Sequence, residues 1–131
     1  METIQVKTGS RVEFVDITSK VRATISGAGI RDGIAVVYVP HTTAGITINE
    51  AADPSVVEDI TGKLSQLVPC QASFKHAEGN SDAHIKASLM GGSVTLIIRD
   101  GAPVLGTWQG IFFCEFDGPR TRKTHMEIIG R

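Results

Sequence analysis

Apolar residues recur along this chain at two spacings, and the change between them separates predicted strands from predicted helices. Alternating or continuous runs rich in Val and Ile, typical of β-strands, occur in seven stretches: TIQVKT, RVEFVDI, DGIAVVYVP, AGITINE, SVTLIIRD, GIFFCEF and RKTHMEII. The run DGIAVVYVP is almost uninterrupted, which predicts a strand covered on both faces. The segment TGS between the first two stretches predicts a hairpin turn.

Three segments have helical spacing. The first is TSKVRATISGAG, where Thr18 or Ser19 can act as the N-cap. The second follows Asp53, an N-cap residue, and Pro54, a favoured first-turn residue, and its apolar positions recur to about residue 68. The third, DAHIKASLM, begins near Asp82 and is stopped by two glycines.

The order of these elements predicts the fold class. Strands come in adjacent hairpin-like groups, GIFFCEF and RKTHMEII being separated by the turn DGPR, with three helices set among them. This order favours an α+β fold with a largely antiparallel sheet over a doubly wound parallel one. With no linker or repeat, residues 1–131 are predicted to form a single domain.

Composition and net charge indicate which kinds of partner and which compartment to expect. Hydrophobic residues make up 41% and charged residues 21%, a globular profile without an apolar run of the roughly 20 residues that cross a membrane. A formal net charge of -1 predicts no general attraction to nucleic acid or to a membrane. Cys70 and Cys114 make no CxxC pair and are expected to be buried, reduced thiols, which indicates the cytoplasm.

Chemically capable side chains gather at element ends, in HTTAGITINE, FKHAEGNSDAH, GTWQG and EFDGPRTR. At the first of these, His41 either bonds a neighbouring loop group or belongs to a site, and Glu50 is either solvated or functional. In GTWQG, Trp108 is either a core or interface aromatic, or a flat wall for a ring whose edge Gln109 contacts.

The second stretch is dense in polar groups, with His76, Asn80 and His84 within nine positions. His84 lies in the first turn of a predicted helix, where the helix dipole favours the neutral imidazole. His76 and His84 either bind a metal ion, with a third ligand from elsewhere, or are hydrogen-bonded without an ion.

In GPRTRK, Arg120, Arg122 and Lys123 form either a solvated basic turn or a phosphate-binding group, because guanidinium donors match phosphate oxygens.

Three stretches together, HTTAGITINEAADPSVVED, HAEGNSDAHIKASLMG and LGTWQGIFFCEFDGPRTRK, resemble the YjbQ family, described as secondary thiamine-phosphate synthases. The similarity covers about residues 36 to 128. It implies a compact α+β domain with a β-sandwich-like sheet, a homotrimer, and pockets where the polar stretches converge. The implied activity transfers a hydroxymethylpyrimidine group from its diphosphate to thiazole phosphate and releases pyrophosphate. A metal-assisted phosphatase or other hydrolase, and a non-catalytic binder of a phosphorylated metabolite, stay open as alternatives.

For such a transfer, we expect catalytic roles for His41, Glu50, His84 and Arg120. Substrate contacts are expected from seven residues: Thr42, Thr43, Asn49, Asn80, Trp108, Gln109 and Arg122. A divalent ion, Mg²⁺ or Zn²⁺, is expected at His76, His84 and His41.

Overall fold

The computed structural model describes residues 1–70 and 73–131, which form two antiparallel sheets and three helices. The strands are β1 (Glu2–Lys7), β2 (Glu13–Asp16), β3 (Gly33–Tyr38), β4 (Ala44–Glu50), β5 (Ser93–Arg99), β6 (Ala102–Pro103), β7 (Gln109–Glu115) and β8 (Thr121–Gly130). The helices are α1 (Thr18–Gly27), α2 (Pro54–Leu67) and α3 (Ser81–Met90). The predicted α+β class, with a mostly antiparallel, sandwich-like sheet arrangement, is confirmed.

The strands pair in an order that differs from the predicted hairpins. One sheet has the order β1-β8-β3-β5-β6 and the other has the order β2-β7-β4. Consecutive strands pair only at β5 and β6 within the described part of the chain, so TGS and DGPR reverse the chain without forming hairpins. The prediction of adjacent hairpin-like groups is wrong, because the chain crosses from one sheet to the other at these turns.

Two hydrophobic cores lie on the two faces of β7. Ile111 and Phe113 belong to the main core, which includes residues of both sheets and of α1. Phe112 and Cys114 belong to a second core with residues of α2 and α3. Alternate side chains of a strand point to opposite faces, so the sheet β2-β7-β4 lies between the larger sheet and the helices α2 and α3.

Strand β3, in contrast, is buried on one face only. Ala35 and Val37 are completely buried, but Ile34 is 40% exposed and Tyr38 is 51% exposed. The prediction that this strand is covered on both faces is therefore wrong within one chain.

The exposed face of the larger sheet carries an apolar row. Ile34 pairs in register with Ile129 and Ile97, and the N–H of Val104 donates to the carbonyl of Ile97 at 2.8 Å. All four of these side chains are substantially exposed. We call Ile129, Ile34, Ile97 and Val104 the outer row.

The helix starts differ in how they are capped. Asp53 caps α2 as predicted, accepting from the N–H of Ser55 at 3.0 Å, and this bond is the main reason that its pKa is lowered. At α1 the N-cap residue is Ile17, so the prediction that Thr18 or Ser19 is the N-cap is wrong, and Asp16 accepts from the N–H of Thr18 at 2.9 Å. None of the helices in the described ranges is long and apolar enough to cross a membrane.

The two cysteines differ in environment. Cys114 is buried, and burial raises the pKa of its thiol. Cys70 is exposed, so the expectation of two buried thiols is wrong for this residue.

A glycine allows α3 to sit directly on β4. A Cβ atom at Gly45 would lie 2.7 Å from the carbonyl oxygen of Gly91 and 3.0 Å from Cβ of Met90. The first contact is closer than packed atoms tolerate and the second is at the limit, so the absence of a side chain at Gly45 permits the close approach of α3 to the sheet. Gly91 itself ends α3 with a φ of 92°, a conformation that glycine adopts readily.

We predict that Gly45→Ala lowers the free energy of unfolding by about 1–3 kcal/mol, because the new methyl group overpacks the contact between α3 and β4. Gly62→Ala, inside α2 with nothing within 4 Å of the added Cβ, is the matched control. This control is expected to be stabilising by up to about 1 kcal/mol, from helix propensity alone. Urea unfolding measures both variants; equal stability of Gly45→Ala and the wild type would contradict the packing described here.

Candidate functional site

Three segments that are distant in sequence line one cleft of about 270 Å³, which we call the polar cleft. The segments are the connection from β3 to β4, the segment leading into α3, and the turn between β7 and β8. The lining residues are Thr42, Thr43, His76, Glu78, Asn80, His84, Asp117 and Arg120. Six of them were predicted as site residues, and the structure brings these six together.

Two further clefts adjoin the polar cleft. The first, of about 440 Å³, is lined by His41, Thr42, Ala44, His84, Ala87, Ser88, Gly91 and Gly92, and we call it the glycine cleft. The second, of about 410 Å³, is lined by Phe74, Lys75, His76, Ser81, His84 and Ile85. His84 borders all three clefts, and its ring centroid lies 5.4 Å from that of His76 in a perpendicular arrangement. His84 is therefore the central side chain of the site.

His41 is held as a neutral imidazole. The backbone N–H of Lys123 donates to its Nε2 at 2.9 Å, so this nitrogen carries no proton. Burial, followed by the positive charge of Arg122, lowers the pKa of His41 below its usual value. The proton of the neutral ring must then be on Nδ1. His41 can consequently act as a hydrogen-bond donor through Nδ1, whereas its Nε2 is already in use.

Arg122 does not line any of these clefts. Its guanidinium is buried against Glu115, with Nε 2.9 Å and 3.1 Å from the two carboxylate oxygens, and its NH2 also bonds the same carboxylate. The NH2 group donates as well to Oγ1 of Thr43 at 2.9 Å. Arg122 was predicted to contact substrate directly; instead it is paired inside the protein and holds Thr43 at the edge of the polar cleft.

Glu115, which the sequence analysis missed, is completely buried and fully paired. Besides Arg122, it accepts from the hydroxyl of Thr8 at 2.8 Å and from the backbone N–H of Phe116 and of Asp117, each at 3.1 Å. Burial alone would raise the pKa of Glu115, but these hydrogen bonds outweigh it and the pKa is lowered. The carboxylate is therefore ionised at neutral pH.

A second buried carboxylate anchors α3. Asp82 is completely buried and accepts from both terminal nitrogens of Arg11, at 3.1 Å and 3.0 Å, and from Nζ of Lys86 at 3.0 Å. Burial opposes ionisation, but the bonds from Arg11 and Lys86 prevail and bring the pKa of Asp82 to about 2. The spacing of Asp82 and Lys86, one helical turn apart, was a sequence signal for this pair.

Asp117 connects two predicted site residues. Its Oδ2 accepts from Nδ2 of Asn80 at 2.9 Å and from NH2 of Arg120 at 3.3 Å. The side chain of Arg120 is 50% exposed, so most of its donors remain available to a ligand. Asp117 lies within the polar stretch EFDGPRTR, but its type alone did not distinguish it from an ordinary turn residue.

Among the described residues, the predicted histidines are not grouped as a metal site within one chain. Nε2 of His76 lies 3.9 Å from Glu78, and Nε2 of His41 is bonded to the main chain. In residues 1–70 and 73–131, no three His, Cys, Asp or Glu side chains are grouped so that they could hold an ion. The described residues of one chain therefore do not fit the expected ion at His76, His84 and His41.

Glu50 and Asn49 lie at the opposite end of β4 from His41. A seven-residue strand separates its ends by about 20 Å, so Glu50 cannot reach the polar cleft in one chain. Glu50 instead borders a separate cleft of about 350 Å³ beside α2. Asn49 uses its Oδ1 to accept from the N–H of Glu50 at 2.7 Å.

Trp108 and Gln109 also lie at this far end, since Gln109 pairs in register with Glu50. Trp108 is 62% exposed and neither residue lines a cleft described above. Oε1 of Gln109 accepts from the N–H of Gly106 at 2.8 Å and so stabilises its own turn. Sequence alone placed these residues with the histidines, and within one chain that grouping is wrong.

The pairing of Asp82 leads to a prediction about acid stability. Because its pKa is lower in the folded chain than in the unfolded one, it contributes stability above pH 4 that is lost as the pH falls towards 2. The shift from 3.8 to about 2 corresponds to roughly 2 kcal/mol. We expect Asp82→Asn to remove this part of the pH dependence and to lower the free energy of unfolding at pH 7 by about 3–5 kcal/mol, because Lys86 is left buried without its partner.

Asp53→Asn is the matched control, since Asp53 is exposed and asparagine caps a helix about as well as aspartate. Asp53→Asn should change the free energy of unfolding at pH 7 by no more than about 0.5 kcal/mol. Urea unfolding between pH 2 and pH 8 measures both variants. If the free energy of unfolding of Asp82→Asn fell at acid pH as steeply as that of the wild type, Asp82 would not be the carboxylate responsible for this loss of stability.

Comparisons with known proteins were made across the whole chain. The family model described as UPF0047 protein YjbQ-like matches residues 2–131. The chain is 64% identical over 126 residues to a UPF0047 protein of Methanocaldococcus jannaschii, covering 96% of this chain and 91% of that protein. It is 48% identical over 131 residues to the UPF0047 protein YugU of Bacillus subtilis, covering 99% of each.

Solved structures agree with these relatives. A YjbQ/UPF0047 family protein from Clostridium acetobutylicum superposes with a TM-score of 0.96 at 53% identity, covering 98% of this chain and all of that one. A YbjQ-like protein from Sulfolobus solfataricus superposes with a TM-score of 0.95 at 38% identity, covering 99% of this chain and 96% of that one. Sequence and fold together show that the chain belongs to the UPF0047 YjbQ-like family.

Proposed function

We propose that this chain is a transferase that couples hydroxymethylpyrimidine diphosphate with thiazole phosphate and releases thiamine phosphate and pyrophosphate. The observation that carries the proposal is the polar cleft, where Arg120, His76 and His84 converge next to the less polar glycine cleft. Such a pair of clefts suits a substrate that has a charged phosphate part and a flat ring.

The polar cleft has the donors that a phosphate group needs. The half-exposed guanidinium of Arg120 offers paired donors, and the hydroxyl of Thr42 lies on the same wall. Residues of the first turn of α3 border the cleft, and a helix leaves its first N–H groups without intrahelical partners. We assign the diphosphate to this cleft.

The glycine cleft suits the ring. Ala44, Ala87, Gly91 and Gly92 give it low walls without long side chains, and His41 with Ser88 supplies polar edges. His84 and Thr42 belong to both clefts, so a ligand that spans them passes these two side chains. The bond between ring arm and diphosphate would therefore lie close to His84.

The proposed reaction balances without a further reactant. The thiazole ring nitrogen attacks the methylene carbon of the pyrimidine arm and forms a C–N bond. The C–O bond to the diphosphate breaks, and its electron pair leaves with the diphosphate oxygen. Negative charge develops on that oxygen, where donors from Arg120 and the neutral Nδ1–H of His41 would stabilise it.

We predict that Arg120→Ala and His84→Ala each lower kcat/KM for the coupling about 10²- to 10³-fold, because Arg120 stabilises the developing charge and His84 borders the bond that breaks. Both side chains are partly exposed, so the melting temperatures should change by only a few degrees. Arg31→Ala, an exposed arginine paired with Asp100 at the other end of β3, is the matched control and should retain full activity.

The assay follows thiamine phosphate and pyrophosphate together. Release of phosphate from the diphosphate substrate in the absence of thiazole phosphate would instead indicate a hydrolase. Binding of the diphosphate without any turnover would indicate a non-catalytic binder. Either result would overturn the proposed transferase.

We also propose that the chain forms a homotrimer through the exposed face of its larger sheet and acts in the cytoplasm. The outer row supports the assembly, because a continuous strip of exposed aliphatic side chains across a sheet is typical of an interaction surface. The exposed free thiol of Cys70 supports the location, since reducing compartments maintain such thiols.

We predict that Ile97→Asp dissociates the trimer, because a carboxylate in the centre of the outer row would be desolvated in the interface. Leu67→Asp introduces the same charge at another exposed aliphatic position, on α2, and should leave the assembly intact. Light scattering after gel filtration measures the mass of each variant. A trimer that survives Ile97→Asp, or a wild-type monomer, would contradict this interface.

A further inference from the structure

A third cleft adjoins the polar cleft along α3, and we call it the aromatic cleft. Its volume is about 410 Å³, and its lining residues are Phe74, Lys75, His76, Ser81, His84 and Ile85. Small-molecule sites usually have volumes of roughly 300–1,000 Å³, so the aromatic cleft can hold a ligand of its own. It shares His76 and His84 with the polar cleft. A ligand in the aromatic cleft would therefore lie next to the groups assigned to the diphosphate.

The walls of the aromatic cleft are more apolar than those of the polar cleft and the glycine cleft. Phe74 is 37% exposed and Ile85 is 38% exposed, so both leave apolar side-chain surface in contact with solvent. A flat ring placed against these side chains would remove that surface from water, which favours binding. The aromatic cleft is therefore suited to an aromatic ligand.

The polarity of the walls distinguishes the two ring sites. A pyrimidine has two ring nitrogens that accept hydrogen bonds, and it suits the polar edges that His41 and Ser88 give the glycine cleft. A thiazole has one ring nitrogen, which must keep its lone pair in order to attack the methylene carbon. Contacts with Phe74 and Ile85 hold a ring by its face and leave that lone pair unused. The aromatic cleft therefore suits the attacking ring.

The position of the aromatic cleft brings the attacking ring to the reacting bond. His84 borders all three clefts, and the bond between pyrimidine arm and diphosphate was assigned next to it. Lys75 is exposed at the aromatic cleft, where its ammonium group can pair with a phosphate on the incoming ligand. Ring and phosphate of one acceptor thus both find partners there.

We propose that the aromatic cleft is the acceptor site, with Phe74 and Ile85 against the ring of the acceptor and Lys75 paired with its phosphate. The inference rests on the proposed function, which supplies the transfer. It adds a substrate class: because the walls contact the face of the ring, the acceptors are phosphorylated heteroaromatic bases in general and not thiazoles alone. Each acceptor forms the C–N bond through its ring nitrogen while the C–O bond to the diphosphate breaks.

The test measures acceptor binding separately from turnover. Thiazole phosphate is titrated calorimetrically into the full chain saturated with pyrophosphate, which fills the polar cleft. We expect thiazole phosphate to bind, and Phe74→Ala to weaken this binding about tenfold without changing the affinity for pyrophosphate. Leu67→Ala, at an exposed apolar position that lines none of the clefts described above, is the matched control and should change neither affinity.

Three results would overturn the acceptor site. The first is no binding of thiazole phosphate to the saturated chain, and the second is equal affinity of the wild type and Phe74→Ala. The third is an equal loss of affinity for thiazole phosphate and pyrophosphate in Phe74→Ala. A change in the mass of the assembly in Phe74→Ala, with acceptor affinity unchanged, would show that the aromatic cleft is a contact between copies of the chain.

Two analogues test the proposed class of acceptor. A pyridine with a phosphorylated ethyl arm keeps a ring nitrogen on a different ring and should compete with thiazole phosphate for the saturated chain. Lys75→Ala should weaken thiazole phosphate about fivefold but leave the affinity for the unphosphorylated thiazole alcohol unchanged. A pyridine that does not compete would overturn the class, and equal weakening of both thiazoles would overturn the role of Lys75.

Failure of this inference is distinguishable from failure of the proposed function. Binding of thiazole phosphate that depends on Phe74, without any coupling, would retain the site for phosphorylated heteroaromatic bases and reject the transferase. Coupling with the same KM for thiazole phosphate in the wild type and Phe74→Ala would retain the transferase and reject the acceptor site.

Discussion

The buried ion pair between Glu115 and Arg122 joins the parts of the chain that form the polar cleft. Glu115 ends β7 in the smaller sheet and Arg122 lies in β8 of the larger one, so the pair links the two layers directly. Thr8 and Thr43 complete the set from two other segments. Because removing one member leaves the other charge buried and unpaired, such a pair is costly to break. The shape of the cleft thus depends on a buried interaction between two residues that do not line it.

The same ion pair influences the protonation of the site. Arg122 contributes to the lowered pKa of His41, and the residue after Arg122 donates its N–H to the ring. One stretch of β8 therefore sets the charge of His41 and the nitrogen on which its proton lies. The opposite wall is set by Asp82, which ties α3 to Arg11 and thereby positions His84 on the same helix. Both walls are held by ionised carboxylates in the interior.

Local patterns in the sequence predicted most elements but not their partners. Apolar spacing located the three helices and the main strands, and Asp53 with Pro54 marked the start of α2, because these signals act within a few residues. Strand pairing depends on which layers the chain joins, and the turns alone did not contain that information. For the same reason, the exposed face of β3 could not be distinguished from a buried one.

The site was predicted in part for similar reasons. Residues near His41 and His84 were identified because unusual polar groups interrupt apolar runs. The destination of Arg122 depends on a buried partner 7 positions away on another sheet, which composition does not reveal. The grouping of Glu50 with His41 was avoidable, since the predicted strand between them already implied a separation of about 20 Å.

Strand β7 contributes alternate side chains to two separate cores, and this shared strand couples the unfolding of the two layers. Neither layer can loosen without removing packing atoms from the other, so the two cores are expected to melt in one cooperative transition. Since β7 also ends in Glu115, a partially unfolded form with an intact cleft would have almost no population. Binding of any compound in the cleft should therefore increase the protection of backbone amides from hydrogen exchange throughout the sandwich, including amides far from the point of contact.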